Sequence, residues 1–315
     1  MLAVTHSFTK GREIMNKTLR RSCLISVFAS IAFLGGCQTA QKPNWDLPAG
    51  VKTLSANGYP MAYVERGSGP TVVLVHGAIN DYRYWNPQIE SLPSRFRVIS
   101  VSLRHYYPEP WKGEGEFSLK LHSEDLAAFI ERLGGPVHLV GHSRGGPVAL
   151  ATAHARPDLV RKLVLMDPAL FVLLPTPSGA TTEDPRIRRA KATQVYLKRG
   201  DIEGGLQYFF DDVNGPGAWS KLPEAQRGVR RDNAWTIVGQ LGDAETVTCA
   251  DIGRLKMPVL LMTGEQSPPL FKKMGAAAGN CLPSAGSVTI PKAGHQMNQL
   301  NPPAFDAALI KFLSE

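Results

Sequence analysis

The chain has 315 residues, 43% of them hydrophobic and 20% charged, which suits one large domain or one domain with an insertion and is enough to bury a sizeable core. Its formal charge of +8 is unevenly placed: five Lys/Arg and one Glu precede Cys37, leaving 30 basic against 26 acidic residues, about +4. That modest surplus argues against a nucleic-acid partner.

From Met1 or Met15 the chain runs through Lys17, Arg20 and Arg21 into LISVFASIAFLGG and reaches Cys37. About a dozen apolar residues is the core of a signal peptide, too short to span a bilayer of roughly 30 Å as a helix, so residues 1–36 read as an export signal. Leu34-Gly35-Gly36-Cys37 resembles the bacterial lipobox, and the compact signal starting at Met15 fits it better than the longer one. The resemblance implies that Cys37 becomes the diacylated N-terminus, a stable anchor because it carries two chains. With Gln38 rather than an acidic residue next, it further implies an outer membrane, facing the periplasm. An ordinary signal peptide with an incidental Cys37 is the alternative. Cys249 and Cys281 are then left as a pair in an oxidising compartment, where a disulfide and two buried thiols are both open readings.

Residues 37–50 form a polar tether. VKTLSA and PMAYVERG bracket the turn signal Asn57-Gly58 and predict a hairpin. Six apolar runs follow, TVVLVHG, RVISVS, VHLVG, KLVLMD, PVLLMTG and SVTI, most of them separated by helix-like segments such as SLKLHSEDLAAFIERLG. Short apolar strands alternating with helices predict a parallel sheet covered on both faces. The alternation lapses over 169–250, where helical patterns rich in Arg, Trp and Gln predict an inserted helical cap between core segments 51–168 and 251–315. No repeat, metal-ligand spacing, Walker loop or dinucleotide fingerprint occurs, so no cofactor or metal is implied.

The decisive motif is GHSRGG, Gly141 to Gly146, between the strand VHLVG and a helix starting near Pro147. A serine on a sharp strand-to-helix turn needs small neighbours, which Gly141 and Gly145 supply, and the following helix N-terminus aims its amides at developing negative charge. VLVHG ends a strand in His76-Gly77 followed by Ala78, and AGHQMNQLNPPAF places His295 in a loop before a last helix. In this order of motifs, over nearly all of residues 50–315, the chain resembles the α/β-hydrolase superfamily. The resemblance implies an α/β fold with a mostly parallel eight-stranded sheet flanked by helices and an inserted cap. It also implies Ser143 as nucleophile, His295 as general base and the amides of Ala78 and Arg144 as oxyanion hole. His76 and His142 are read as packing residues.

Many relatives carry the triad acid as an Asp three residues after the glycine ending PVLLMTG, and Ser267 stands there. Two carboxylates can substitute: Asp167, at the end of KLVLMD, is the preferred acid and Glu265 the alternative. The expected function is a serine hydrolase of carboxylesterase type acting on a small-molecule ester, amide or lactone. A non-catalytic ligand-binding lipoprotein, and serine chemistries such as perhydrolysis or C–C bond hydrolysis, are the alternatives. Substrate identity and oligomeric state are left open. Trp219 and Trp235 are candidates for an acyl pocket or for the core of the cap, and Tyr106 and Tyr107 for the pocket floor or packing. The basic sets Arg186, Arg188, Arg189, Lys191 and Arg227, Arg230, Arg231 read as solvated helix faces, with acidic substrates or anionic lipid as the alternative.

Overall fold

The structure is a computed structural model that describes residues 43–175, 184–244 and 247–315; Cys37 and the expected export signal lie outside these. Eight strands make one sheet: β1 (Lys52–Ala56), β2 (Tyr59–Arg66), β3 (Thr71–Val75), β4 (Arg97–Val101), β5 (Val137–His142), β6 (Val160–Met166), β7 (Val259–Gly264) and β8 (Gly286–Ile290). Their spatial order is β1-β2-β4-β3-β5-β6-β7-β8. β2 pairs antiparallel with β1 and β4, and all other neighbours are parallel. The β1–β2 turn is the Asn57-Gly58 pair, with φ of 49° and 73°, a conformation Asn and Gly adopt more readily than other residues.

The helices are α1 (Asn86–Ser91), α2 (Leu119–Arg132), α3 (Gly145–Ala155), α4 (Pro185–Lys198), α5 (Ile202–Asn214), α6 (Glu224–Asp232), α7 (Thr236–Gly239), α8 (Cys249–Ile252), α9 (Pro269–Cys281), α10 (Met297–Leu300) and α11 (Pro302–Ser314). The apolar runs are continuous because alternate side chains bury on opposite faces of the sheet. Val73, Val75, Ile99, Leu139 and Leu165 pack with Leu126 and Phe129 of α2 and Val148 of α3. Val72, Leu74, Val98, Val140 and Met166 pack with Ile89 of α1 and Phe305 and Leu309 of α11. Each such side chain, nearly or fully buried, stabilises the fold by about 1.5–3 kcal/mol.

Between β6 and β7 the helices α4 to α7 build a third core from Ala190, Leu197, Leu206, Phe209, Phe210, Trp219 and Ile237, closed against Ile79 of the loop after β3. Asp184 and Asp201 start α4 and α5 by accepting from the amides of Arg186 and Gly204. A disulfide between Cys249 and Cys281 ties α8 to α9.

Candidate active site

The turn from β5 to α3 holds Ser143 at a φ of 51°, left-handed and unfavourable by roughly 1–2 kcal/mol for a residue with a side chain. Neighbouring strands fix it: the Ser143 amide donates to Met166 O at 3.0 Å, and Ser143 O accepts from Gly146 N at 2.9 Å and Ala169 N at 3.0 Å. The space allows only glycine at Gly145, where a Cβ would lie 2.4 Å from His76 O. Local strain at such a position persists because the surroundings over-determine it.

One strand over, Asp167 leaves β6 at a φ of 39°, its amide donating to Met262 O at 2.9 Å. The carboxylate is 1% exposed and is satisfied from β7 and the loop after it. Thr263 Oγ1 donates to Oδ1 at 2.7 Å, and the Ser267 hydroxyl donates to Oδ2. His295 Nδ1 lies 3.1 Å from that same Oδ2. The imidazole is stacked on Phe271 with centroids 3.8 Å apart, and its backbone carbonyl accepts from His142 Nε2 at 3.0 Å. Burial, followed by the neighbouring His295, pushes His142 well below the usual histidine range, so it acts as a neutral spacer.

Glu265 is set apart from this cluster. It is exposed, and its Oε2 accepts from the Lys292 amide at 2.7 Å, which fixes the loop after β8. Ser267, at the place where the sequence pattern expects an acid, instead donates to the Asp167 carboxylate at the end of β6. Sequence reasoning missed Thr263 and Ser267 in this role; the serine in an acid's position was the available signal.

Ser143, His295, Ala78 and Arg144 line one cavity, about 670 Å³ counted out to its open mouth, with Phe209, Phe210 and Phe271 among its apolar walls. A direct Ser143–His295 hydrogen bond is not among those formed by the described residues. Apo geometry of a nucleophile and its base is often looser than in the reacting complex. Among the described residues the backbone amides of Ala78 and Arg144 donate to no partner, so both are available to an oxyanion. The Arg144 guanidinium is committed elsewhere: it grips Asp243 with two hydrogen bonds of 2.7 Å and reaches His122 Nδ1 at 3.0 Å.

Trp219 is 4% exposed inside the cap core, with its ring centroid 5.9 Å from that of Phe210, and neither Trp219 nor Trp235 lines the cavity. Tyr106 packs on His76 with centroids 4.5 Å apart, and Tyr107 lies under Arg83, also away from the cavity. The solvated-face reading of the basic sets fails at two positions, because Arg189 and Arg230 are 7% and 1% exposed. Spacing marks a helix face as charged, but the packing of α4 and α6 decides which of those charges turn inward. Among the described residues no group of three His, Cys, Asp or Glu is placed to hold a metal ion.

The Alpha/beta hydrolase family model matches residues 72–308. The chain is 25% identical over 265 residues to a 2-(acetamidomethylene)succinate hydrolase of Mesorhizobium japonicum, covering 79% of this chain and 90% of that one. It is 24% identical over 279 residues to an (E)-2-((N-methylformamido)methylene)succinate hydrolase of Acinetobacter baylyi, covering 83% and 97%. A thermophilic esterase of Thermogutta terrifontis has the same fold, with a TM-score of 0.67 at 23% identity over 84% of this chain and 98% of that one.

Proposed function

This chain belongs to the Alpha/beta hydrolase family, and from that premise we propose that it is a serine hydrolase cleaving a carboxylic ester or amide through Ser143, His295 and Asp167. One observation carries the reading: the Asp167 carboxylate holds Nδ1 of His295 while both that ring and Ser143, on its strained turn, face one cavity. Asp167 fixes the tautomer that leaves Nε2 as the base. Nε2 takes the Ser143 proton as Oγ attacks the carbonyl carbon, and the amides of Ala78 and Arg144 receive the oxyanion. The imidazolium then protonates the leaving group as the tetrahedral intermediate collapses to an acyl-serine. Water, deprotonated by the same nitrogen, releases the acid and restores Ser143. Ser267 was the one hint of a non-catalytic binder, and its hydrogen bond to Asp167 supports the reading in which the acid stands at 167 instead.

Two of the relatives that match over most of the chain are named for hydrolysis of substituted succinates, which favours a small substrate that bears a carboxylate. The test is labelling of the purified chain with a fluorophosphonate. Wild type should label and Ser143→Ala should not; a folded wild type that stays unlabelled sinks the hydrolase reading.

We also propose that the chain is exported and lipid-anchored through Cys37, in an outer membrane facing the periplasm. The Cys249–Cys281 disulfide suits an oxidising compartment, and no helix among the described residues is long and apolar enough to cross a membrane. Cys37→Ser should move the protein from the membrane to the soluble fraction; continued sedimentation with membranes would refute the anchor.

A further inference from the structure

We propose that Arg189 of α4 is a built carboxylate subsite in the wall of this cavity, so that the substrate is the monoanionic half-ester or half-amide of a dicarboxylic acid. The inference rests on reading the cavity as the substrate site.

Arg144 and Arg189 both line the cavity, but their charges are balanced differently. Arg144 has Asp243 to itself, two hydrogen bonds to one carboxylate. Arg189 shares its carboxylate: Nε donates to Asp212 Oδ2 at 2.8 Å while Arg188 Nη2 donates to Oδ1 of the same residue at 3.1 Å. Two guanidinium groups thus share one carboxylate, while the nearby Asp184, which Arg189 also helps to hold low, is engaged by the Arg186 guanidinium. Among the described residues Nη1 and Nη2 of Arg189 donate to nothing, and the side chain lies against Phe209, its guanidinium carbon 5.4 Å from the ring centroid.

The side edge of the guanidinium is therefore fixed by Asp212, and the terminal fork is left for a ligand. That fork matches two carboxylate oxygens, the geometry in which arginine is strongest and most selective. At 7% exposure the residue is largely desolvated, so an anion meets a charge screened less than one at the surface. A buried charge without full compensation is costly in a folded chain, and a carboxylate that arrives with the substrate would supply what the fold leaves out. Phe209, Phe210 and Phe271 give the same cavity an apolar wall, with Arg186 and Asn214 among its polar lining.

The experiment compares monomethyl succinate with methyl butyrate, which differ in a terminal carboxylate against a methyl group, by proton release from the full chain. Wild type should prefer the charged ester at least tenfold in kcat/KM. Arg189→Met should bring the ratio to about one, mainly by raising KM for the charged ester, and Arg189→Lys should keep part of the preference. A wild type indifferent to the carboxylate, or an equal proportional loss on both esters in Arg189→Met, would overturn the subsite. A second arm measures succinate binding calorimetrically to Ser143→Ala and to Ser143→Ala/Arg189→Met, without turnover. Binding lost only in the second variant supports the subsite even if neither ester is cleaved, a result that would count against the hydrolase reading alone. Equal binding by both variants overturns the subsite.

Discussion

At Asp167 three donors converge on one buried carboxylate, and each has a different cost of removal. Asp167→Asn keeps the shape but replaces the acceptor of His295 Nδ1–H with an amide and removes the charge that stabilises the imidazolium; kcat should fall by roughly a thousandfold or more. Ser267→Ala removes one hydrogen bond from a charged acceptor, about 1–3 kcal/mol, and a tenfold loss in kcat is expected. Because Ser267 Oγ and His295 Nδ1 both contact Asp167 Oδ2, a carboxylate grown from position 267 would lie beside the same imidazole. Asp167→Asn/Ser267→Asp should thus recover part of the activity lost in Asp167→Asn. Steady-state kinetics of the two variants decide this, and a double variant no faster than the single one contradicts it. Glu265→Gln should leave kcat within about twofold, since that carboxylate serves the Lys292 amide. The sequence made it legible that Ser143 and His295 would face one cavity, because glycines and turn position leave marks in a linear pattern. It could only rank the acids, because the choice between Asp167 and Glu265 depends on where the loop after β7 folds.

At the scale of elements, the cap is joined to the nucleophile turn by a clasp. Arg144 follows Ser143 directly, and its partner Asp243 comes from the chain between α7 and α8; their side chains are 6% and 2% exposed. Breaking one half of a buried pair strands the other charge, so Asp243→Ala should cost about 3–5 kcal/mol. Replacing both, Arg144→Met with Asp243→Leu, should recover most of that loss. Urea unfolding of the single and double variants checks it: a single variant as stable as wild type would show that the clasp contributes nothing. Strands, hairpin and cap were all visible as periodicity and turn chemistry. Cross-element pairs such as Arg144–Asp243 were not, since they join residues 99 positions apart through packing that no local pattern encodes. For the same reason Arg189 was named only within a basic set, with acidic substrates as its alternative use, since nothing local singles it out until α4 is laid against the cavity.

Across the whole molecule, three histidines are buried around the site in neutral form: His76 and His122 at 0% and His142 at 2% exposure. Burial pushes His76 down to about 4, and it pushes His122 and His142 well below the usual value of 6.5. On His122 and His142 the facing charges reinforce this, Arg144 lowering the one and His295 the other, whereas on His76 the raising pull of Asp81 exceeds the lowering one of Arg144 and burial decides the direction. In the unfolded chain all three take up protons near 6.5. Below that pH the unfolded state holds more protons than the folded one, so stability falls as pH drops, by up to about 1.4 kcal/mol per pH unit for each histidine. Above pH 7 neither state protonates them and this contribution is flat. Carboxylates held low by ion pairs, such as Glu65 and Asp184, add their loss only at more acidic pH, below their unfolded values. Melting temperature should therefore begin to fall from about pH 6.5, before carboxylate titration begins. Thermal unfolding from pH 8 to pH 4 measures the onset. A melting temperature unchanged down to pH 5 would mean that the buried imidazoles find protons, or partners for them, inside the fold.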